Sequence, residues 1–408
     1  MSCHNLLLNR GKIKITIEMN TWNLSSSVTN GNKISRESIK LVAVGDIMFG
    51  EHPLCLGHGV SSVIDENGSG FIFEKIAPAL RDADVIFCNL ENMLLDVVGE
   101  TNRFEDKYLR GSKECVEALK CVGFNIVNLA NNHALQHKTT GFYGTIDLLD
   151  RHDIKHIGVR GRNYAEFDFD PIKLGFLGYC ADQQYETEIN YVEPLNLSRI
   201  SQDIGSLKKS GINFIVISLH WGTEFVQKPS LKQIETGRKI IEMGANIILG
   251  HHSHVIQGIE KYKGGLIVYS LGNFVSDMQW DKNLKRTMIL SCEISKRDGL
   301  KFTIIPISIN KNFQPEIDNG VTGAGIIKVV ETLSKDLDTL NMERPLYSDC
   351  DYISYVKKQK NINRLEMYRH FISHLHKYKI KTAYEILWFF FLKKMRRLPW
   401  TGKRFLAR

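Results

Sequence analysis

No CxxC pair occurs among the eight cysteines of this 408-residue sequence, and it shows no internal repeat or extended low-complexity tract. No nucleic-acid-binding motif accompanies its positive charge. The scattered cysteines, most of them inside apolar stretches such as residues 85–89, read as buried thiols of a reducing compartment and not as a disulfide framework. Asn, Arg and Lys break up the first twenty residues, which lack the continuous apolar core of a secretory signal, so export through that segment is not expected. Hydrophobic residues at 43% and charged residues at 24% exclude both a disordered chain and a polytopic membrane protein.

The formal charge of +8 is a property of one end. Residues 355–408 hold 15 Lys and Arg against Glu366 and Glu385, which leaves the rest of the chain net negative. A basic tail on an acidic body argues for a tail that meets an acidic surface, and against nucleic acid as a partner. The length allows one large catalytic domain and a smaller appendage.

Residues 20–37 are rich in Ser, Asn and Thr, and an apolar run follows at residues 39–44, so folding is expected to begin near Ser38. Short β-branched runs then alternate with helix-like segments at residues 73–82, 112–122 and 231–243, an α/β pattern. The later runs, GLIVYSLGNF, RTMILSCEI and LKFTIIPISI, follow one another without helices and suggest antiparallel additions. Helical patterns return at residues 325–340 and 361–376, the second with Leu365, Tyr368, Phe371, Ile372 and Leu375 on one apolar face. The stretch around WFFF, beside Lys393, Lys394, Arg396 and Arg397, is too short to span a bilayer. It suits either an amphipathic helix packed on the body or peripheral contact with the inner face of a membrane, the latter with a cytoplasmic location.

Polar residues end the apolar runs. Asp46, Glu91, Asn132, His133, His220, His252 and His254 all stand at or just past such ends, the edge of an open α/β sheet where ligands bind. His252 and His254 flank Ser253, and an extended backbone would turn both imidazoles to one side, a chelating arrangement. Asp46 and Glu91 on neighbouring strand ends would repel unless a cation lay between them, although each alone suits a turn or helix cap. Asn131 and Asn132 read either as a turn or, through Asn132, as a hard oxygen ligand, with His133 able to give a proton to a leaving group. His220 is a ligand or a buried histidine, and Trp221 after it offers an apolar wall for a substrate. His251 reads as a turn residue, and Arg110 as either an anion contact or a solvated cation. Together the set points to mixed oxygen and imidazole coordination suited to zinc, manganese or iron, with room for two cations.

In this order, GDIM, NLE, LANNHA, HWGTE, GHHSHV and YSLGNF resemble the successive motifs of the CapA (poly-γ-glutamate capsule biosynthesis) family over residues 39–309. That resemblance implies a metallophosphoesterase-like fold, a four-layer αββα sandwich with a two-metal centre at one edge. Residues 38–312 would form it, between a variable N-terminal segment of residues 1–37 and a helical, basic extension of residues 313–408. By motif, Asp46 and His254 would hold one metal, Asn132, His220 and His252 the other, and Glu91 would bridge them, with His133 as catalytic acid. The implied activity is hydrolysis of a phosphoester or an anionic polymer-linked bond, in capsule or surface-polysaccharide production, or else an accessory role in polymer synthesis and export. Met48 stands where the phosphoesterase pattern has histidine, and Gln136 and Lys138 stand where the family pattern has Asp and Gly.

Overall fold

A computed structural model describes residues 15–18, 37–95, 104, 107–181, 191–338 and 348–395. Most of residues 1–37, and Arg396 and Arg397 of the basic tail, lie outside the described residues. In chain order the strands are β1 (Ile15–Glu18), β2 (Ser38–Ile47), β3 (Val85–Leu90), β4 (Met93–Leu94), β5 (Arg110–Gly111) and β6 (Ile126–Asn128). They continue as β7 (Lys155–Ile157), β8 (Ala165–Asp168), β9 (Lys173–Cys180), β10 (Phe214–His220), β11 (Ile247–His251) and β12 (Ile259–Tyr262). The last are β13 (Gly265–Val268), β14 (Asn273–Val275), β15 (Arg286–Ser295), β16 (Gly299–Ile309) and β17 (Pro315–Ile317).

Two sheets result. The larger runs β1-β16-β15-β2-β3-β6-β7, with β14 also beside β2 and β17 beside β16, and the smaller runs β12-β13-β11-β10-β9-β8. Period-two alternation explains why they face each other. On β2, Ile39, Leu41 and Ala43 enter the core between the sheets, while Val42 and Val44 point to the opposite face. On β10, Phe214 and Val216 meet the first sheet, and Ile215, Ile217 and Leu219 turn outward.

Helices cover both outer faces. Residues of α1 (Val60–Asn67), α2 (Ala77–Leu80), α3 (Cys115–Cys121) and α4 (Lys138–Arg151) pack on the larger sheet. Those of α5 (Leu197–Lys209) and α6 (Leu231–Met243) pack on the smaller. The order helix, sheet, sheet, helix is the four-layer sandwich expected from the sequence. Local chemistry sets the helix ends: Ser230 and Gln233 form a reciprocal capping box at the start of α6, and Gly244 closes it at φ 112°.

Two readings of the sequence change. GLIVYSLGNF is not one strand: β13 runs parallel to β11 in the smaller sheet, and β14 runs parallel to β2 in the larger, with Gly272 at φ 79° just before the second. The antiparallel expectation does hold for β15 on β2 and for β16 on β15. The helix expected at residues 73–82 is reduced to Ala77–Leu80, preceded by a 3-10 turn at Ser69–Phe73.

Toward the C-terminus, α7 (Val321–Asp338) packs on β16 and β12. It is followed by α8 (Asp349–Ser373) and α9 (Ile380–Met395). A capping box of Ser348 and Asp351 starts α8 well before the apolar pattern does. Of the apolar face expected on this helix only Phe371 is buried, and Leu365, Tyr368, Ile372 and Leu375 are exposed. On α9, Ile386, Ala383 and Phe390 join a cluster with Met48, Leu109, Val255 and Trp280. Lys107 binds Glu385 at 2.8 Å across the same seam. The opposite face of α9 leaves Ile380, Tyr384, Leu387, Trp388 and Phe391 exposed. Among the described residues no helix is long and apolar enough to cross a membrane.

Candidate metal centre

Parallel register brings the polar strand ends together. Asp46 near the end of β2 lies opposite Asn89 of β3 and Asn273 of β14, and His220 and His251 are partners at the ends of β10 and β11. The backbone must pass closely here: a Cβ on Gly45 would lie 1.9 Å from the carbonyl oxygen of Gly272.

Asp46 is buried and held from several sides. Its Oδ1 accepts from Asn89 Nδ2 at 2.9 Å and meets His251 Nδ1 at 3.0 Å. Its Oδ2 accepts the His252 backbone N–H at 3.2 Å and lies 3.5 Å from His254 Nδ1. Burial pushes this carboxyl up, but the bonds to His251 and His254 outweigh it and hold Asp46 well below the usual range. Burial likewise opposes charge on His254, yet Glu91 and Asp46 carry that imidazole up to about 10. Glu91 moves the other way: burial first, and then the charge of Asp46, raise it well above the ordinary value against the pull of His254.

Two groups of ligand atoms share Glu91. One is Asp46, Glu91 and His254, the other Glu91, His220 and His252, and within each the ligating atoms lie within 4.8 Å of one another. Asn132 joins the second group, its Oδ1 2.9 Å from His220 Nε2. Both Glu91 oxygens and Asn132 Nδ2 are buried without a hydrogen-bond partner. A buried carboxylate without donors is costly, by about 1–3 kcal/mol or more, and oxygen and imidazole donors are what hard or borderline divalent cations take. The residues therefore fit divalent cations, with Glu91 common to both groups.

The histidine geometry differs from the sequence reading. His252 and His254 are not on an extended strand: their φ values are 87° and 59°, so a left-handed turn brings both rings to the site. His251 is no turn residue. It ends β11 and reaches Asp46, which places it behind the ligands as the group that orients a carboxylate. Trp221, expected as a wall for substrate, is buried among α6 and β13 residues, stacked on Tyr269 at 5.8 Å with its indole N–H donating to the Tyr269 carbonyl at 3.0 Å. Both its face and its donor are used in packing, so it is a core residue. Arg110 sits on β5, where its charge acts on Asp65 of α1.

His133 stands beside the cluster, and burial holds it down at about 4, with Glu224 pulling the other way. The imidazole is thus uncharged near neutrality, with one N–H and one acceptor nitrogen. Gln136, which replaces the family's Asp, bonds the His133 side chain. Lys138, which replaces the family's Gly, keeps a glycine-like φ of 61°. A non-glycine residue there costs about 1 kcal/mol, so Lys138→Gly is expected to raise stability by roughly that amount, read as a higher urea midpoint. An unchanged or lower midpoint would show that the turn is not strained.

Sequence reading passed over Asn89, Asn128 and Glu224, and took His251 for a turn residue. Asn128 donates to Asn89 Oδ1 at 2.9 Å, and so steadies the amide that holds Asp46. Glu224 raises Glu91 and His254 through its charge. Strand parity was the available signal for one of them, since Asn89 lies two residues before Glu91 on the same strand end.

A helix-covered double sheet whose strand ends gather two carboxylates, an amide and imidazoles around a shared glutamate defines an α/β sandwich protein with a candidate two-cation centre. The chain belongs to the family described as bacterial capsule synthesis protein PGA_cap, which matches residues 40–278. It is 28% identical over 291 residues to the capsule biosynthesis protein CapA of Bacillus anthracis, covering 67% of this chain and 68% of that protein. It is 29% identical over 281 residues to the PGA biosynthesis protein CapA of Bacillus subtilis (strain 168), covering 66% and 71%. A probable polyglutamine synthesis accessory protein of Mycobacterium tuberculosis is 30% identical over 217 residues, covering 48% of this chain and 56% of that one. Among solved structures, the NAD nucleotidase of Haemophilus influenzae aligns with a TM-score of 0.38 at 14% identity, over 80% of this chain and 60% of that one.

Proposed function

We propose that the chain is a metal-dependent hydrolase of phosphoester type that acts in the making of capsule, poly-γ-glutamate or a related surface polymer. The observation that carries this reading is Glu91, a buried carboxylate without a protein donor that belongs to both groups of candidate ligands. Asp46, Glu91 and His254 would hold one cation, and Glu91, Asn132, His220 and His252 the other. Bound there, zinc, manganese or iron would supply charge neutralisation and activation of water. The chain's own part is positioning: His251 and Asn89 fix the Asp46 carboxylate, and Asn128 fixes Asn89. Uncharged His133 would take up a proton or present an N–H to a departing oxygen, the second being the acid role expected from the sequence.

The test pairs elemental analysis of the purified protein with turnover of a chromogenic phosphoester under added manganese, zinc or iron. Bound metal with turnover supports the hydrolase. Metal without turnover of any ester favours the second reading, an accessory component of polymer synthesis, which the Gln136 and Lys138 replacements beside His133 and the name of the mycobacterial relative suggest.

This reading also sets the protein against an anionic membrane, on the cytoplasmic side. Ile380, Tyr384, Leu387, Trp388 and Phe391 share an exposed face of α9, with Lys377, Lys379 and Lys381 exposed at its start. Co-sedimentation with phosphatidylglycerol vesicles is expected to fall by about tenfold or more in a Leu387→Glu, Trp388→Glu variant, given the apolar area lost. Undiminished sedimentation would remove the membrane from the proposal.

A further inference from the structure

A second cluster of metal-type ligands lies outside the centre described above and does not depend on the hydrolase reading. Cys55 ends the 3-10 turn Pro53–Cys55, His58 follows in the next loop, and His370 comes from the last turn of α8. One ligand atom from each lies within 4.8 Å of the others, and Cys55 Sγ is 4.0 Å from His370 Nε2. Both ring nitrogens of His58 are buried, and neither makes a hydrogen bond of good geometry, its one polar contact being with the Leu56 backbone. Such an imidazole is a costly residue to keep in place without a ligand.

We infer that Cys55, His58 and His370 form a thiolate-containing site for zinc or a similar borderline cation, which fastens α8 to the loop after β2. Sulfur and imidazole donors select zinc over manganese or magnesium, unlike the oxygen-rich main centre. Tetrahedral zinc with bonds of about 2.3 Å to sulfur and 2.0–2.1 Å to nitrogen places neighbouring donors roughly 3.5 Å apart, so the 4.0 Å between Cys55 and His370 closes by about half an ångström and the other pairs by about 1 Å at most. The His374 ring, one turn further along, stacks on His370 at 4.0 Å with its Nδ1 engaged by the His370 carbonyl, which leaves the fourth position to water.

The electrostatic surroundings are mixed and fit this use. The Lys377 charge disfavours a cation, while the carboxylates of Asp277 and Glu51 act on Cys55 from the other side. Burial and these carboxylates hold the thiol well above its ordinary range, so it stays protonated until a cation displaces the proton. Cys55 and His58 lie within residues 40–278 that match the family, and His370 lies beyond them. The site would therefore fasten the C-terminal extension to the conserved-motif body only nine positions after Asp46.

Cobalt(II) distinguishes the two sites, because only a thiolate ligand gives strong charge-transfer absorption in the near ultraviolet. The full-length protein, stripped with chelator and titrated with cobalt(II), is expected to show that absorption, and so is the His220→Ala, His252→Ala variant. Cys55→Ser should lose it, and His58→Gln should weaken cobalt binding at this site by about tenfold or more. Circular dichroism of each variant checks folding, and His58→Gln decides if Cys55→Ser does not fold. Absence of the absorption in the wild type, its persistence in Cys55→Ser, or undiminished affinity in His58→Gln would overturn the assignment.

Discussion

A variant with alanine at both His220 and His252 is expected to lose about one equivalent of bound metal and to hydrolyse a chromogenic phosphoester at least ~10³-fold more slowly than wild type. The two rings stand 4.6 Å apart and belong, with Glu91, to one of the two ligand groups. Removal of a single electrostatic stabiliser from an active site commonly costs about 10²–10³ in rate, so loss of two ligands from one cation should cost no less. Any ion that persists should be held either by Asp46, Glu91 and His254 or through the Cys55 thiolate, and the cobalt spectrum tells the two apart. Turnover unaffected by the double replacement, in a variant that folds, would end the hydrolase reading. Burial of both side chains makes the folding control essential, and His252→Gln provides a gentler single change at the same cation.

The sandwich and the gathering of polar residues at the strand ends were legible because both depend on short-range pattern. Apolar runs such as residues 39–44 fix strand parity, and a polar residue that ends such a run has to sit at the sheet edge, as Asp46 and His220 do. The details that failed depend on contacts distant in sequence. Nothing in the local sequence shows that His252 and His254 take left-handed backbone, since non-glycine residues do so only when tertiary contacts impose it, here the grip of Asp46 on the His252 N–H and of Asn273 on His254. The passage from β13 to β14 switches sheets through Gly272, and a run of apolar residues on either side conceals it. Trp221 follows His220 in sequence, but its ring turns to the opposite side of the sheet, an outcome set by Tyr269. On α8 the apolar spacing was real, but it marks an exposed face, because periodicity identifies a stripe without saying what covers it.

Glu91→Gln should separate a ligand from a structural acid by the sign of its effect under two conditions. In chelated protein the Glu91 oxygens have no donor, and burial together with Asp46 raises the carboxyl well above its ordinary value of 4.5. The folded state therefore holds this proton longer than the unfolded state does. The stabilisation is full below about the unfolded value and is lost as pH rises through the folded one, so the Glu91 contribution falls with rising pH. Glutamine cannot ionise, which removes that fall. The chelated variant is thus expected to match wild type in mild acid and to gain on it by about 1–3 kcal/mol as pH rises. Loss of the His254 contact with Glu91, 3.8 Å away, offsets part of that gain. With metal at about 100 times its dissociation constant the order should reverse, because wild type gains about 2.7 kcal/mol from binding and the variant gains little. Urea denaturation with chelator and with manganese or zinc, at two pH values, measures all four terms. Equal destabilisation with and without metal would make Glu91 a packing residue and remove the shared ligand on which the two-cation centre rests.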